Sequence, residues 1–246
     1  MTTNWDNRSI SLLFDSYDDR VENLLGYQPL IAEMKRSMNG STKILDYGCG
    51  GGKVSRRLLE AGFDEITGVD ISETMIEIAR ERTSSEKVEY LKIKNNKVPF
   101  SDDIFDAAVC CYVFVNTPTP SEISAISNEL FRIIKPGGFL YLLDTNPRSI
   151  GIQFSTFLNG SPGLTYENGD QREVILHIPN QEVFRIIDTH WTLDAYLSTL
   201  SLAGFADFHI SERRARDISA DHRIQLGPAE HSYAPFIQLT AKKPLT

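Results

Sequence analysis

Lys43-Ile-Leu-Asp-Tyr-Gly-Cys-Gly-Gly-Gly-Lys-Val54 decides the fold, because a short apolar strand runs into an acid and then into a turn with four glycines. Gly48, Gly50, Gly51 and Gly52 have no Cβ, so the chain can bend sharply and bring backbone amides against a small molecule. Residues 54–62 read as the helix that leaves the turn. Spacing separates the nucleotide sites such a loop could serve. A Walker-type phosphate loop needs Gly, four residues and Gly-Lys-Ser/Thr. Counting back from Gly52-Lys53 puts Tyr47 at the first glycine, and Val54 follows the lysine. A dinucleotide fingerprint, Gly-x-Gly-x-x-Gly, places its third glycine on Lys53 and stays open only as a degenerate match. The pattern that fits is acid-x-Gly-x-Gly-x-Gly, with Asp46 two residues ahead of Gly48.

Further α/β parts follow in order. Residues 64–72 read as a second buried strand ending at Asp70, roughly twenty residues past the loop, where a carboxylate can accept from both hydroxyls of a ribose. Residues 73–82 have apolar positions at helical spacing, with Ser72 as N-cap. Residues 88–93 give a third strand. Residues 105–115 give a fourth, nearly continuous in apolar residues, as a strand covered on both faces should be. A helix over 122–134 ends in Lys135-Pro-Gly-Gly138, and residues 139–144 form a fifth strand. Residues 191–205 are an amphipathic helix with a glycine stop, followed by strands at 208–212 and 235–243.

This order, with the glycine loop and the Lys-Pro-Gly-Gly turn, resembles the class I S-adenosylmethionine (SAM) dependent methyltransferases continuously over residues 40–147. The resemblance implies an α/β fold: a Rossmann-like, seven-stranded, mostly parallel sheet with an antiparallel last strand and helices on both faces. It also implies SAM as cofactor. Residues 1–40 are expected to be an N-terminal helical cap. Residues 41–246 would be the SAM-binding domain, carrying a β-rich, substrate-covering insertion at about 147–190.

The resemblance assigns cofactor residues one at a time. Backbone around Gly48, Gly50 and Cys111 would hold the amino-acid end, Asp70 the ribose, and Ile71 would lie against adenine. Asp46 would orient the loop or touch the cofactor, and Tyr17 or Tyr27 of the cap would reach the methionine carboxylate. One position departs from the family. Lys94 stands where an acid usually accepts from the adenine amine, and a lysine cannot accept that bond. The acceptor then has to come from backbone near Asn95, or from the Asn95 or Asn96 side chain. Methyl transfer from a sulfonium mainly requires alignment, which supplies up to about 7–11 kcal/mol in favourable intramolecular models.

The substrate side is less legible. Phe114, Val115, Phe154, Tyr166 and Trp191 are candidates to line an aromatic-accepting pocket, although such residues also build cores. Five histidines are scattered, and His190 and His231 are the candidates for a general base. A neutral nitrogen needs no strong base, whereas a hydroxyl does. The expected acceptor is a small, flat organic molecule, methylated on N or O. A protein or RNA methyltransferase and a non-catalytic SAM-binding module are the alternatives.

Composition narrows the partners. A net charge of −8 speaks against a nucleic-acid partner, because a phosphate-tracking surface is basic. No apolar run reaches membrane-span or signal-peptide length, and the chain is expected to be cytoplasmic. The three cysteines contain no Cys-x-x-Cys pair, so neither a disulfide framework nor a metal site is expected. Oligomeric state is not encoded in any feature of the sequence.

Overall fold

The computed structural model describes residues 3–38, 42–178 and 183–245. The expected boundary between cap and domain at 40–41 lies outside them, as does Glu182, the first residue of the β-rich flank expected over 182–189 in the inserted arm. Seven strands form one sheet in the order β3-β2-β1-β4-β5-β10-β9. These are β1 Lys43–Tyr47, β2 Glu65–Asp70, β3 Val88–Lys92, β4 Phe105–Cys111, β5 Ile134–Thr145, β9 Ala206–Ser211 and β10 Phe236–Lys242. Strands β1 to β5 pair in parallel, and β10 runs antiparallel to both β5 and β9. The expected sheet is therefore present. Strand β5 begins five residues earlier than the sequence suggests, because Lys135-Pro-Gly-Gly138 continues the pairing across a register shift beside Phe105 and Ala107. A Cβ on Gly138 would lie 2.7 Å from Asp106 O, which is why the chain can cross there only as glycine.

Alternation along the strands feeds two cores. On β1, Ile44 packs into a core shared with the cap and the arm, while Leu45 joins a second core built with two long helices. The helices of the first face include α4 (Lys53–Glu60) and α5 (Glu73–Arg82), and α5 starts at Ser72, whose hydroxyl accepts from Met75 N. The second face carries α6 (Pro120–Ile133) and α7 (Leu193–Ala203). Gly204 ends α7 in the left-handed region, at φ 110°.

The cap differs in detail from its expected form. Apolar spacing predicts two helices, over 14–25 and 29–38; instead α1 spans Arg8–Ser16, and α2 (Arg20–Glu22) passes through a π-helical turn, Asn23–Tyr27, into α3 (Gln28–Ser37). The Asn7 side chain caps α1 by accepting from Ser9 N and Ile10 N, a start signal that apolar spacing alone does not reveal. The arm is a three-stranded antiparallel meander of β6 (Phe157–Asn159), β7 (Gln171–Leu176) and β8 (Phe184–Thr189).

Glu129 on α6 shows how the second face holds the loop after β3. Its carboxylate is 1% exposed and accepts from Val98 N at 2.7 Å, from Arg132 at 2.6 Å and from Lys97 at 3.2 Å. Burial alone would raise its pKa, but these bonds outweigh burial and hold it below the ordinary value. Glu129→Ala should lower unfolding free energy in urea by about 2–4 kcal/mol, since it leaves a buried amide without a partner. Because the folded carboxyl is the stronger acid, its contribution is complete above the unfolded value and disappears as pH falls through the lower folded value. The difference between wild type and variant should therefore shrink in acid and hold constant from pH 6 to 8.

Candidate active site

The loop after β1 is positioned by its neighbours. Gly48 N and Cys49 N both donate to Val69 O, at 2.8 and 2.9 Å, which folds the loop onto the end of β2. Gly48 has φ 72°, and a Cβ there would lie 2.3 Å from the Val113 side chain, so only glycine fits. Gly50 N donates to Asp70 Oδ2 at 2.9 Å, and Ser72 N donates to Asp70 Oδ1 at 2.8 Å. Asp70 lines the cleft beside this loop. Burial pushes the Asp70 carboxyl above its ordinary value, and the amides of Ser72, Gly50 and Ile71 pull it back.

The cleft is walled by this loop, by Asp70 and Ile71, and by Cys111 at the end of β4. Ile71 presents a 59% exposed apolar side chain there. After β3 comes a tight turn, Lys94 to Lys97, closed by Lys97 N donating to Lys94 O at 3.0 Å. Asn95 and Asn96 occupy its centre with φ 52° and 58°, the left-handed pair that a primed turn requires. Asn95 sits exposed at the tip and Lys94 points away, whereas Asn96 faces the cleft and its carbonyl accepts from the Tyr47 hydroxyl at 3.1 Å. Of this turn's residues, only Asn96 lines the cleft.

The other expected cofactor residues divide. Tyr27 lines the cleft, with its ring edge-on to Tyr112 at 6.0 Å and the Arg57 guanidinium 4.7 Å from its centroid. Tyr17 is buried one layer behind, beneath the Lys53 ammonium at 4.2 Å. Asp46 is buried under the loop and accepts from the Ser55 hydroxyl at 2.5 Å, tying β1 to α4. Burial, with Asp70 adding repulsion, pushes its carboxyl up to about 7.

The expected substrate residues lie away from the cleft wall, for physical reasons that differ. Phe114 is fully buried and stacks on Tyr196 at 5.4 Å, and Val115 is buried while its amide donates to Asp144 at 3.3 Å. Phe154 packs on Phe157 at 5.0 Å. Trp191 is buried and donates to Thr117 O at 3.1 Å. Tyr166 accepts from Ser161 N at 3.0 Å, with its ring beside His190. His190 is buried in the base of the arm, where burial and the nearby Arg172 lower its pKa. His231 is exposed on a short helix, Pro228–Ser232. Neither histidine reaches the cleft. Among the described residues no cluster of ligating side chains could hold a metal ion.

Three aromatic residues of the cleft wall were not singled out in the sequence. Trp5 leans over the cleft, and its indole donates to Asn116 Oδ1 on the opposite rim at 3.1 Å. Phe14 meets Trp5 edge-on at 4.8 Å. Tyr112 follows β4 with φ 57°, a conformation uncommon for a tyrosine, which turns it into the wall beside Tyr27. A lone tryptophan before the first helix was the one available signal for this lid.

The matches to known proteins agree with this geometry. A family model described as a methyltransferase domain covers residues 44–138. N-demethylindolmycin N-methyltransferase of Streptomyces griseus is 34% identical over 163 residues, spanning 66% of this chain and 68% of that protein. The chain belongs to the class I SAM-dependent methyltransferases. Demethylmenaquinone methyltransferase of Staphylococcus aureus is 30% identical over 142 residues, 54% of this chain and 58% of the relative. In solved structures, a SAM-dependent methyltransferase of Methanosarcina mazei shares the fold with TM-score 0.60 at 22% identity, covering 87% of this chain and 98% of its own. The glycopeptide N-methyltransferase MtfA does so with TM-score 0.63 at 13% identity, over 89% and 90%. The cofactor is SAM, and the cleft offers it a glycine loop, the Asp70 carboxylate and the exposed apolar side chain of Ile71.

Asp70→Ala should weaken SAM binding about tenfold or more by calorimetry, since each charge-assisted bond to the ribose contributes roughly 1.5–3 kcal/mol. Asn96→Gly keeps the left-handed backbone and removes the side chain, and should cost about three- to tenfold, against little change for Lys94→Ala. Unchanged affinity in Asp70→Ala with the fold intact would remove the ribose assignment.

Proposed function

We propose that this methyltransferase methylates a nitrogen of a small, flat organic molecule enclosed between the cleft and the N-terminal cap. The strap from Trp5 to Asn116 carries the reading. It crosses the open end of the cleft and is fastened on both sides. Ser72 Oγ donates to Trp5 O at 2.9 Å, the Ser11 hydroxyl to the same carbonyl at 2.7 Å, and Thr3 is hydrogen-bonded to Ile187 of β8. A small acceptor needs only a hinge movement of this strap, whereas a protein or RNA substrate would have to displace it. The acidic net charge argues in the same direction.

The chemistry of the wall favours nitrogen. SAM supplies an electrophilic methyl group, and the chain has to bring a nucleophile into line with it and exclude water. Trp5, Phe14, Tyr27 and Tyr112 offer aromatic faces and edges to a flat ring. No histidine lines the cleft among the described residues, and its carboxylates are Asp70, engaged by backbone amides, and Asp15, which stands against the glycine loop. A neutral nitrogen brings its own lone pair and loses its proton after attack, whereas a hydroxyl would need a base beforehand. The relative from Streptomyces griseus is named for transfer to a small-molecule nitrogen, which supports the same class. No helix among the described residues is long and apolar enough to cross a membrane.

Mass spectrometry tests this directly. Incubation with SAM and a panel of heteroaromatic amines, N-demethylindolmycin among them, and matched phenols should give products heavier by one methylene, with fragmentation placing the methyl on nitrogen. Trp5→Ala should reduce kcat/KM for the best acceptor about tenfold or more by opening the site to water. Methylation confined to the phenols, or full activity in the Trp5 variant, would overturn this reading.

A further inference from the structure

Where the arm meets the sheet, behind the rim of the cleft, three charged side chains are buried together and take no part in holding the cofactor. Arg172 on β7, Asp188 opposite it on β8 and Asp144 near the end of β5 are each at most 3% exposed. The Arg172 fork donates to Asn159 Oδ1 and, at 2.8 Å, to Thr145 Oγ1, so it crosses from the arm to the residue after Asp144. Asp188 Oδ1 is buried without a partner. Asp144, by contrast, is fully engaged. Its Oδ1 accepts from Thr145 N at 2.8 Å, and its Oδ2 accepts from Val115 N at 3.3 Å and from the Tyr196 hydroxyl at 3.1 Å. Every one of these partners is a donor here, so a proton on either oxygen of Asp144 would compete with a bond already made.

Burial pushes the Asp144 carboxyl up to about 7 and that of Asp188 up to about 6; Asp188 adds repulsion on Asp144, and Arg172 draws both down. The other titratable groups facing Asp144 are the Tyr196 hydroxyl on α7 and the Cys110 and Cys111 thiols on β4, all kept neutral by burial. His190, near Arg172, is held toward its neutral form by burial and by that charge. We propose that Arg172 is a positioning residue for the rim of the cleft: its charge holds Asp144 in the anionic form that anchors the turn Phe114–Asn116, and the turn presents Asn116 to the Trp5 indole. The inference rests on the reading of the Trp5–Asn116 strap as the cover of the site, and adds what keeps the fixed end of that strap in place. Asp188 works against Arg172, since a second anion without a bond of its own divides the attraction of one guanidinium. The arm that carries Arg172 also meets the strap at its start: β8 packs on the same turn, and its Ile187 is hydrogen-bonded to Thr3.

The two tryptophans of the chain report on this turn directly, because Trp5 donates to Asn116 Oδ1 and Trp191 to Thr117 O. In nitrogen-15 NMR of the full chain, both indole N–H signals should reach their hydrogen-bonded positions as pH rises through the Asp144 value of about 7. Arg172→Met should raise that midpoint by about one pH unit or more, and Asp188→Asn should lower it. Asp188→Asn removes a charge and keeps the shape, so it decides the matter if Arg172→Met does not fold. With the best acceptor of the panel above, Arg172→Met should lose kcat/KM about fivefold or more at neutral pH, and should add less than about twofold to the loss in Asn116→Ala. Its affinity for S-adenosylhomocysteine should stay within about twofold of wild type, because the cofactor touches neither partner. Midpoints that stay in place in a folded variant, or losses that simply multiply with those of Asn116→Ala, would make Arg172 only a strut of the arm and overturn the proposal. A panel without any acceptor would instead sink the function proposed above, and the indole titration would still decide on Arg172.

Discussion

The acceptance of two amides by one carbonyl, Val69 O from Gly48 and Cys49, is the constraint from which the cleft follows. It turns the loop back across the end of β2, so that Gly50, two residues after Gly48, reaches the Asp70 carboxylate. The pairing of Tyr47 with Val69 fixes which residues can meet there. A slip of one residue would send Asp70 to the opposite face and leave the loop amides without their acid. Val113 closes the arrangement from above, packed so tightly on Gly48 that the ends of β1, β2 and β4 hold one another. The sheet order reverses between β1 and β4, and the cleft opens at this switch, where α/β sheets leave room for ligands.

That arrangement brings two carboxyls into the same buried region, and each is stabilised differently. Asp46 has the Ser55 hydroxyl for one oxygen and no partner for the other, and its carboxyl rises to about 7. Since its folded value lies above its unfolded one, the folded state holds the extra proton. Stability from this group is complete below the unfolded value and declines as pH rises toward 7. Asp70 is spared part of that cost by backbone amides, which favour its charged form. The difference suits their positions. Asp46 braces a helix and works as well when neutral, whereas Asp70 faces the cleft, where an ionised acceptor binds hydroxyls best.

What the sequence revealed followed from backbone periodicity and local start and stop signals. The glycine loop, Asp70, Ser72 as N-cap and the glycine stop after α7 depend on residues close in the chain, whereas the antiparallel last strand was implied by the family resemblance alone. Phe114, Val115, Phe154 and Trp191 marked places near the carboxyl end of the sheet but not the direction in which their side chains point. Direction depends on partners distant in sequence, such as Tyr196 for Phe114 and Thr117 for Trp191. Tyr112 was hidden for a related reason. Its left-handed backbone breaks the alternation that β4 would otherwise continue, and no residue type announces that break. Trp5 was hidden because its partner, Asn116, lies more than a hundred residues away.

The short turn Phe114–Asn116 explains how residues misplaced at the wall still shape the site. Phe114 anchors it below by stacking on Tyr196, and the Val115 amide donates to Asp144, which also accepts from the Tyr196 hydroxyl at 3.1 Å. Trp191 fixes the next residue through Thr117 O, and β8 of the arm packs against the same turn. Asn116 is therefore presented from a rigid support, with its amide nitrogen donating to Tyr112 O at 2.7 Å and its oxygen free to receive the Trp5 indole. A single indole hydrogen bond contributes only about 0.5–1.5 kcal/mol. A bond that weak can hold a strap and still release it in each turnover, provided that the acceptor atom does not move. The aromatic residues one layer behind the cleft supply that fixity.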